Sequence, residues 1–84
     1  MPRYMDPENR RLYRVVITKT VSANVYRPER TYTFAEGPYT TAGQAQRRLS
    51  YHQESAERSQ GSPYYEYTVD GRIEGADVAW KPLL

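Results

Sequence analysis

The hydrophobic positions of this chain recur with two different periods, and each period predicts an element. From Leu12 to Val21 (Leu-Tyr-Arg-Val-Val-Ile-Thr-Lys-Thr-Val) the residues are largely β-branched and alternate in polarity. Successive side chains of a strand point to opposite faces, so Tyr13, Val15, Ile17 and Val21 share one face. Arg14, Thr18 and Thr20 share the other, with Val16 as an exception. Lys19 interrupts the apolar face, which puts it near the strand end or at a bulge. Ser22 to Arg30 contains Asn24 and Pro28 and reads as a loop. Thr31 to Glu36 alternates again, with Tyr32 and Phe34 inward and Thr31 and Thr33 outward. Gly37-Pro38 ends this second strand, and the pair predicts a hairpin with a long connection.

The period then changes from two to between three and four. Ala42, Ala45, Leu49, His52 and Ala56 form a narrow stripe, which predicts a helix from about Ala42 to Ser59. Thr41-Ala-Gly-Gln44 has the spacing of a capping box, in which a threonine oxygen and a glutamine side chain satisfy each other's backbone donors. Gly61 and Pro63 mark the stop. Tyr64 to Val69 predicts a third strand, with Tyr65, Tyr67 and Val69 on one face. Asp70-Gly71 is a two-residue hairpin signal, because glycine tolerates the positive φ that such a turn requires. A fourth strand then follows from Arg72 to Lys81. Ile73 falls on the wrong face in that register unless a bulge at Gly75 restores it.

The expected fold is α+β in the order β-β-α-β-β, a four-stranded antiparallel sheet with one helix packed on one face. Residues 1–10 read as a flexible lead-in and residues 11–84 as a single compact domain. The covered face would hold Tyr13, Val15, Ile17, Tyr32, Phe34, Leu49, Tyr65, Tyr67, Val78 and Trp80. The open face would show Arg14, Thr18, Thr31, Thr33, Tyr64, Glu66 and Thr68, with Val16 and Ile73. The first and last strands would leave the sheet edges open to pairing with another chain.

Composition narrows the function without naming it. The chain has 84 residues, nine of them tyrosine, and ten of its twelve basic residues are arginine. A core of this size supplies roughly 3–5 kcal/mol. There is no cysteine and hence no disulfide and no thiolate metal site, which leaves a reducing cytoplasm as the default compartment. No apolar run approaches a membrane span, and the charged stretch Met1 to Arg11 does not read as a signal peptide. Twelve basic and ten acidic residues nearly cancel, giving a net charge of +2. The preference for arginine follows equally from the codon composition of a GC-rich genome.

No catalytic constellation emerges. His52 is the only histidine and lies on the apolar stripe, where it reads as a core or boundary residue. Glu54 and Glu57 fall on another side of the helix, and Gly71 and Gly75 are not placed as a phosphate loop. We expect a protein without enzymatic activity, cofactor or metal. Tyrosine and arginine are both enriched at protein interfaces, so the candidate partner-binding residues are Arg10, Arg11, Arg14, Tyr26, Arg27, Arg30 and Tyr64. The second reading is weak nucleic-acid binding through an arginine-rich first hairpin, with Arg47 and Arg48 contributing. A third is a homodimer through a self-complementary open sheet face.

Three segments also carry a resemblance. They are Tyr13-Arg-Val-Val-Ile-Thr-Lys, then Gly37-Pro-Tyr-Thr-Thr-Ala-Gly-Gln-Ala-Gln-Arg-Arg, and then Val69-Asp-Gly-Arg-Ile-Glu-Gly-Ala-Asp-Val-Ala-Trp. Their V-x-I/V-T, G-x-Y-x-T and E-x-A-x-V-x-W patterns resemble those of small, uncharacterised accessory proteins of actinobacteriophages. The resemblance spans about residues 12–81. It implies a phage origin, a setting in the cytoplasm of the host cell and a host protein as partner, by analogy with small phage proteins that act by binding. It brings no catalytic residue.

Overall fold

One helix lies across a three-stranded antiparallel sheet of order β2-β1-β3, not a four-stranded one. The structure, a computed structural model, describes residues 7–8 and 10–83. The elements are β1 (Arg11–Val21), β2 (Arg30–Tyr39), α1 (Ala42–Ser59) and β3 (Tyr67–Asp77). Most of the expected lead-in, with Tyr4, lies outside the described residues. Arg10 is described, and its carbonyl accepts the Val78 N–H at 2.6 Å.

The central strand is β1, so it is not an edge as the hairpin layout implied. It pairs along its whole length with β3, from Arg11↔Asp77 to Val21↔Tyr67. On its other side it pairs with β2, from Val15↔Glu36 to Val21↔Arg30, and again at Tyr13↔Tyr39 beyond a bulge. β2 therefore continues past Gly37-Pro38 instead of ending there. A proline is tolerated because β2 is an edge strand, whose outer side makes no ladder among the described residues. Gly37 has φ 147°, and a side chain there would press on the Tyr13 carbonyl.

The expected turn at Asp70-Gly71 does not form. Gly71 sits in mid-strand opposite Ile17, and its φ is not positive. Its missing side chain serves the helix instead. A Cβ at residue 71 would lie 2.4 Å from Leu49 Cδ1 and 3.1 Å from Ile17 Cδ1. The glycine lets the helix settle on the bare backbone of β3. Without a turn the alternation runs unbroken through Tyr67, Val69, Gly71 and Ile73. Ile73 thus faces the helix with no compensating bulge, opposite Val15.

The core follows from that contact. Val15, Ile17 and Leu49 are buried, with Phe34, Tyr39, Val69 and Ile73 packed around them. A second group, Val21, Ala56 and Tyr67, continues beneath the last turns of α1. Several residues expected in the core are not there. Trp80 is 60% exposed because, among the described residues, no fourth strand carries it back over the sheet. Tyr32 and Tyr65 are about two-fifths exposed, since one helix cannot cover three strands. Conversely Val16, on the open face, is buried between its neighbours Ala35 and Arg72. Tyr64 and Glu66 precede β3 and are not part of the open face.

The helix ends are as the sequence predicts. Thr41 caps α1 and accepts the Gln44 N–H at 3.2 Å, while the Gln44 side chain accepts the Thr41 N–H at 3.3 Å. At the other end Gln60 caps the helix and Gly61 follows at φ 85°. The buried Ser59 hydroxyl accepts the Tyr67 N–H at 3.0 Å, and Gln60 Nε2 donates to the Tyr67 carbonyl at 2.9 Å. These bonds tie the end of α1 to the start of β3.

Substituting Gly71→Ala should destabilise the protein by about 1–3 kcal/mol, because Leu49 must leave its place in a packed core. Gly43, in the first turn of α1, has open space around its Cα. There alanine should be neutral or stabilising by up to about 1 kcal/mol. Chemical denaturation of the two variants checks the contrast; equal effects would remove the packing role given to Gly71.

Candidate functional site

The seven residues singled out from the sequence separate into two groups at opposite ends of β1. The strand rises roughly 3.3 Å per residue, so its ends stand about 30 Å apart. Arg10, Arg11 and Arg14 belong to one end. Arg11 Nε pairs with Asp77 at 3.0 Å, and Arg14 pairs with Glu74 at 2.7 Å. Arg72 donates to the other Glu74 oxygen at 2.9 Å. Arg14, then Arg72, hold the Glu74 carboxyl below its ordinary range by hydrogen bonding. Two of the arginines expected to meet a partner are thus engaged by carboxylates on β3. A shallow cavity of about 510 Å³ lies beside them, lined by Leu12, Tyr13, Arg14, Pro38 and Glu74 among others.

Tyr26, Arg27, Arg30 and Tyr64 come together at the other end. There the loop between β1 and β2 meets the segment leading into β3. Asn24 organises the meeting. Its Oδ1 accepts the N–H groups of Tyr26 at 2.7 Å and Arg27 at 3.0 Å, folding the loop into a tight turn. Its Nδ2 donates to the Tyr64 carbonyl at 2.8 Å. One side chain therefore fastens two segments 40 residues apart. The Ser22 N–H adds a bond to the Glu66 carbonyl at 2.8 Å. Ser62 Oγ accepts from the Tyr64 and Tyr65 amides and shapes the second segment.

The outcome is a stack of two tyrosines facing solvent. The Tyr26 and Tyr64 rings lie 6.5 Å apart at 25°, and they are 74% and 66% exposed. Beside them is a cleft of about 320 Å³ whose lining includes Arg27, Pro28, Arg30 and Tyr65 and no acidic side chain. Among the described residues, neither Arg27 nor Arg30 stands within ion-pair distance of a carboxylate. Lys19 extends this cationic end. It stays in register with no bulge, and its ammonium lies 3.9 Å from the Tyr67 ring centroid and 5.0 Å from that of Tyr65. A hydrogen bond with Lys19, then one with Tyr32, holds the Tyr65 phenol below its ordinary range.

A third polar group was not foreseen. Glu36 faces the helix rather than water, and its two carboxylate oxygens meet His52 Nε2 and, at 2.8 Å, Arg48 Nε. The His52 ring also lies edge-on to Phe34 and Tyr51, at 5.7 and 5.5 Å. The signal was present in the alternation: Glu36 has the parity of Tyr32 and Phe34. Burial pushes the Glu36 carboxyl upward, but the bonds from Arg48 and His52 outweigh it and hold the group below its ordinary range. This cluster fastens β2 to the helix. Among the described residues no set of three His, Asp or Glu side chains could hold a metal ion, and no helix is long and apolar enough to cross a membrane.

Comparisons with family models, curated proteins and solved structures return no match. The reading of function therefore rests on this geometry.

A depressed carboxyl adds stability that is present above its unfolded pKa and lost as pH falls through the folded value. Glu36→Gln should cost roughly 1–2 kcal/mol at neutral pH, as loss of a charge-assisted, part-buried pair. The gap between wild type and variant should close on acidification below the ordinary glutamate value of about 4.5. Urea denaturation at a series of pH values measures it, and a gap that stays constant would show that the ion cluster adds nothing.

Proposed function

We propose that this chain is a small, non-enzymatic interaction protein that grips a protein partner through the Tyr26–Tyr64 end. The resemblance to actinobacteriophage accessory proteins extends the proposal to a phage protein that modulates a host protein. One observation carries the reading. Two large aromatic side chains are held stacked in solvent by a hydrogen-bonded scaffold that leaves them uncovered. Burying a tyrosine in the core needs no such scaffold. An interface benefits from one, because anchors held in place before binding lose less freedom on binding. Among the described residues, Arg27 stands next to the stack with no carboxylate at ion-pair distance. The surface therefore suits a partner segment that offers an acidic side chain beside an apolar one.

The nucleic-acid reading draws less from the same facts. Arg11 and Arg14 of the first hairpin, and Arg48 of the helix, each meet a carboxylate. Such pairing reduces the charge left to displace counterions from a phosphate backbone.

Capture from an actinobacterial lysate, followed by titration of the purified partner, tests the proposal. Tyr26→Ala, Tyr64→Ala and Arg27→Glu should each weaken binding by about tenfold or more, the range of interface anchors. Arg11→Ala and Arg14→Ala should leave it unchanged. An affinity for mixed DNA or RNA that falls steeply with salt, and no protein captured, would replace this reading with the second one.

A further inference from the structure

The two edges of the sheet are treated differently. Along β3 the residues Asp70, Arg72 and Glu74 place charge on the edge strand. At its start, the Tyr67 N–H and carbonyl are taken by Ser59 and Gln60 of the helix end. Charged side chains and covering elements are the usual guards against edge-to-edge pairing. β2 has neither along its centre. Thr31-Tyr-Thr-Phe-Ala35 carries no charge, proline or glycine, and among the described residues no strand pairs on its outer side. On the helix side Tyr32 and Phe34 stack on each other at 6.1 Å, and Tyr32 stays 42% exposed.

The sequence of β2 is complementary to itself. When two copies pair antiparallel about a two-fold axis, opposed residues share a face, so the axis must pass at a residue position. At Thr33 the axis sets Arg30 opposite Glu36 and Tyr32 opposite Phe34, each twice, with Thr31 opposite Ala35. Moving the centre to Tyr32 puts Glu36 opposite Pro28. Moving it to Phe34 puts Glu36 opposite Tyr32. The charge match exists in one register. Arg30 has no carboxylate at ion-pair distance in its own subunit among the described residues. Glu36 already accepts from Arg48 and His52, and a carboxylate offers further lone pairs to a third donor.

We propose that two copies of this chain join β2 to β2 about Thr33, giving one six-stranded antiparallel sheet with both helices on the same side. The four rings of Tyr32 and Phe34 then form a continuous strip between the helices. The assembly closes at two copies because the outer edges become the guarded β3 strands. This inference is separate from the proposed partner site. Arg30 turns toward the neighbouring subunit, and Tyr26, Arg27 and Tyr64 stay exposed.

Sedimentation of the full chain across a concentration series should show a mass near twice 9.8 kDa. Thr33→Lys and Thr33→Glu each place like charges opposite one another and should raise the dimer dissociation constant by about tenfold. An equimolar mixture of the two should regain the wild-type value. The chain has no cysteine, so a single one reports the register. Thr33→Cys should cross-link with itself, because directly opposed Cα atoms fall within disulfide range. Thr31→Cys should not, yet should cross-link to Ala35→Cys. Circular dichroism confirms that each variant is folded. A wild-type monomer at every concentration, no recovery on mixing, or Thr31→Cys cross-linking itself as fast as Thr33→Cys would overturn the proposal.

Discussion

The contact between Leu49 and the bare backbone at Gly71 sets the position of everything else. A leucine on a helix can lie this close to a strand only where the strand carries no Cβ. With Leu49 seated on β3, above Ile17 of β1, the helix axis is committed to the β1–β3 side of the sheet. The hydrophobic groups that get buried are those beneath that line: Val15 and Ile17, then Val21 and Tyr67 under Ala56. β2 lies off the line. It is fastened laterally, by Phe34 packing on the core and by the Glu36 carboxylate reaching Arg48 and His52.

The same commitment explains which parts of the fold were legible in the sequence. The helix was readable to the residue, because a capping box and a glycine stop are local chemistry and nothing tertiary opposed them. β1 was readable because its alternation is long. The Asp70-Gly71 turn was misread because glycine has two physical uses, a positive φ and a missing Cβ, and the dipeptide alone does not distinguish them. The discriminating signal was Ile73. A turn at 70–71 sends it to the wrong face, while an unbroken strand puts it opposite Val15. A bulge at Gly75 was a second irregularity invoked to repair the first, and a continuous strand needs neither. Full-length pairing of two eleven-residue strands outweighed the local preference for a hairpin.

The candidate site was legible in its residues and not in its grouping. Tyrosine and arginine marked surfaces, but sequence position says little about which of them meet. Arg11 and Arg14 found partners on β3, and that pairing became possible only once Asp70-Gly71 stayed extended and carried Glu74 and Asp77 alongside β1. Tyr26 and Tyr64 met because Asn24 bridges two segments. Its role is a tertiary hydrogen bond that no spacing rule encodes. The tyrosines divided in the same way. Tyr67 is core, Tyr39 packs against the Val15, Ile17 and Leu49 cluster, and Tyr26 and Tyr64 are left standing in solvent.

A helix that favours one side of a three-stranded sheet also makes its edges unequal. The end of α1 reaches β3 and occupies the backbone of Tyr67, so that edge is partly closed by the fold itself. The far edge receives no such help. An edge left open must be guarded by charge or matched to something, since unpaired backbone groups beside apolar rings favour association. In β2 the charges of Arg30 and Glu36 are of opposite sign, and the five residues between them are neutral. Opposite charges at equal distances from a neutral centre are the arrangement that an antiparallel copy of the same strand satisfies. An unrelated strand would have to supply the mirrored pattern independently. The asymmetry that begins with one missing Cβ on β3 thus ends as a specific complementarity on β2.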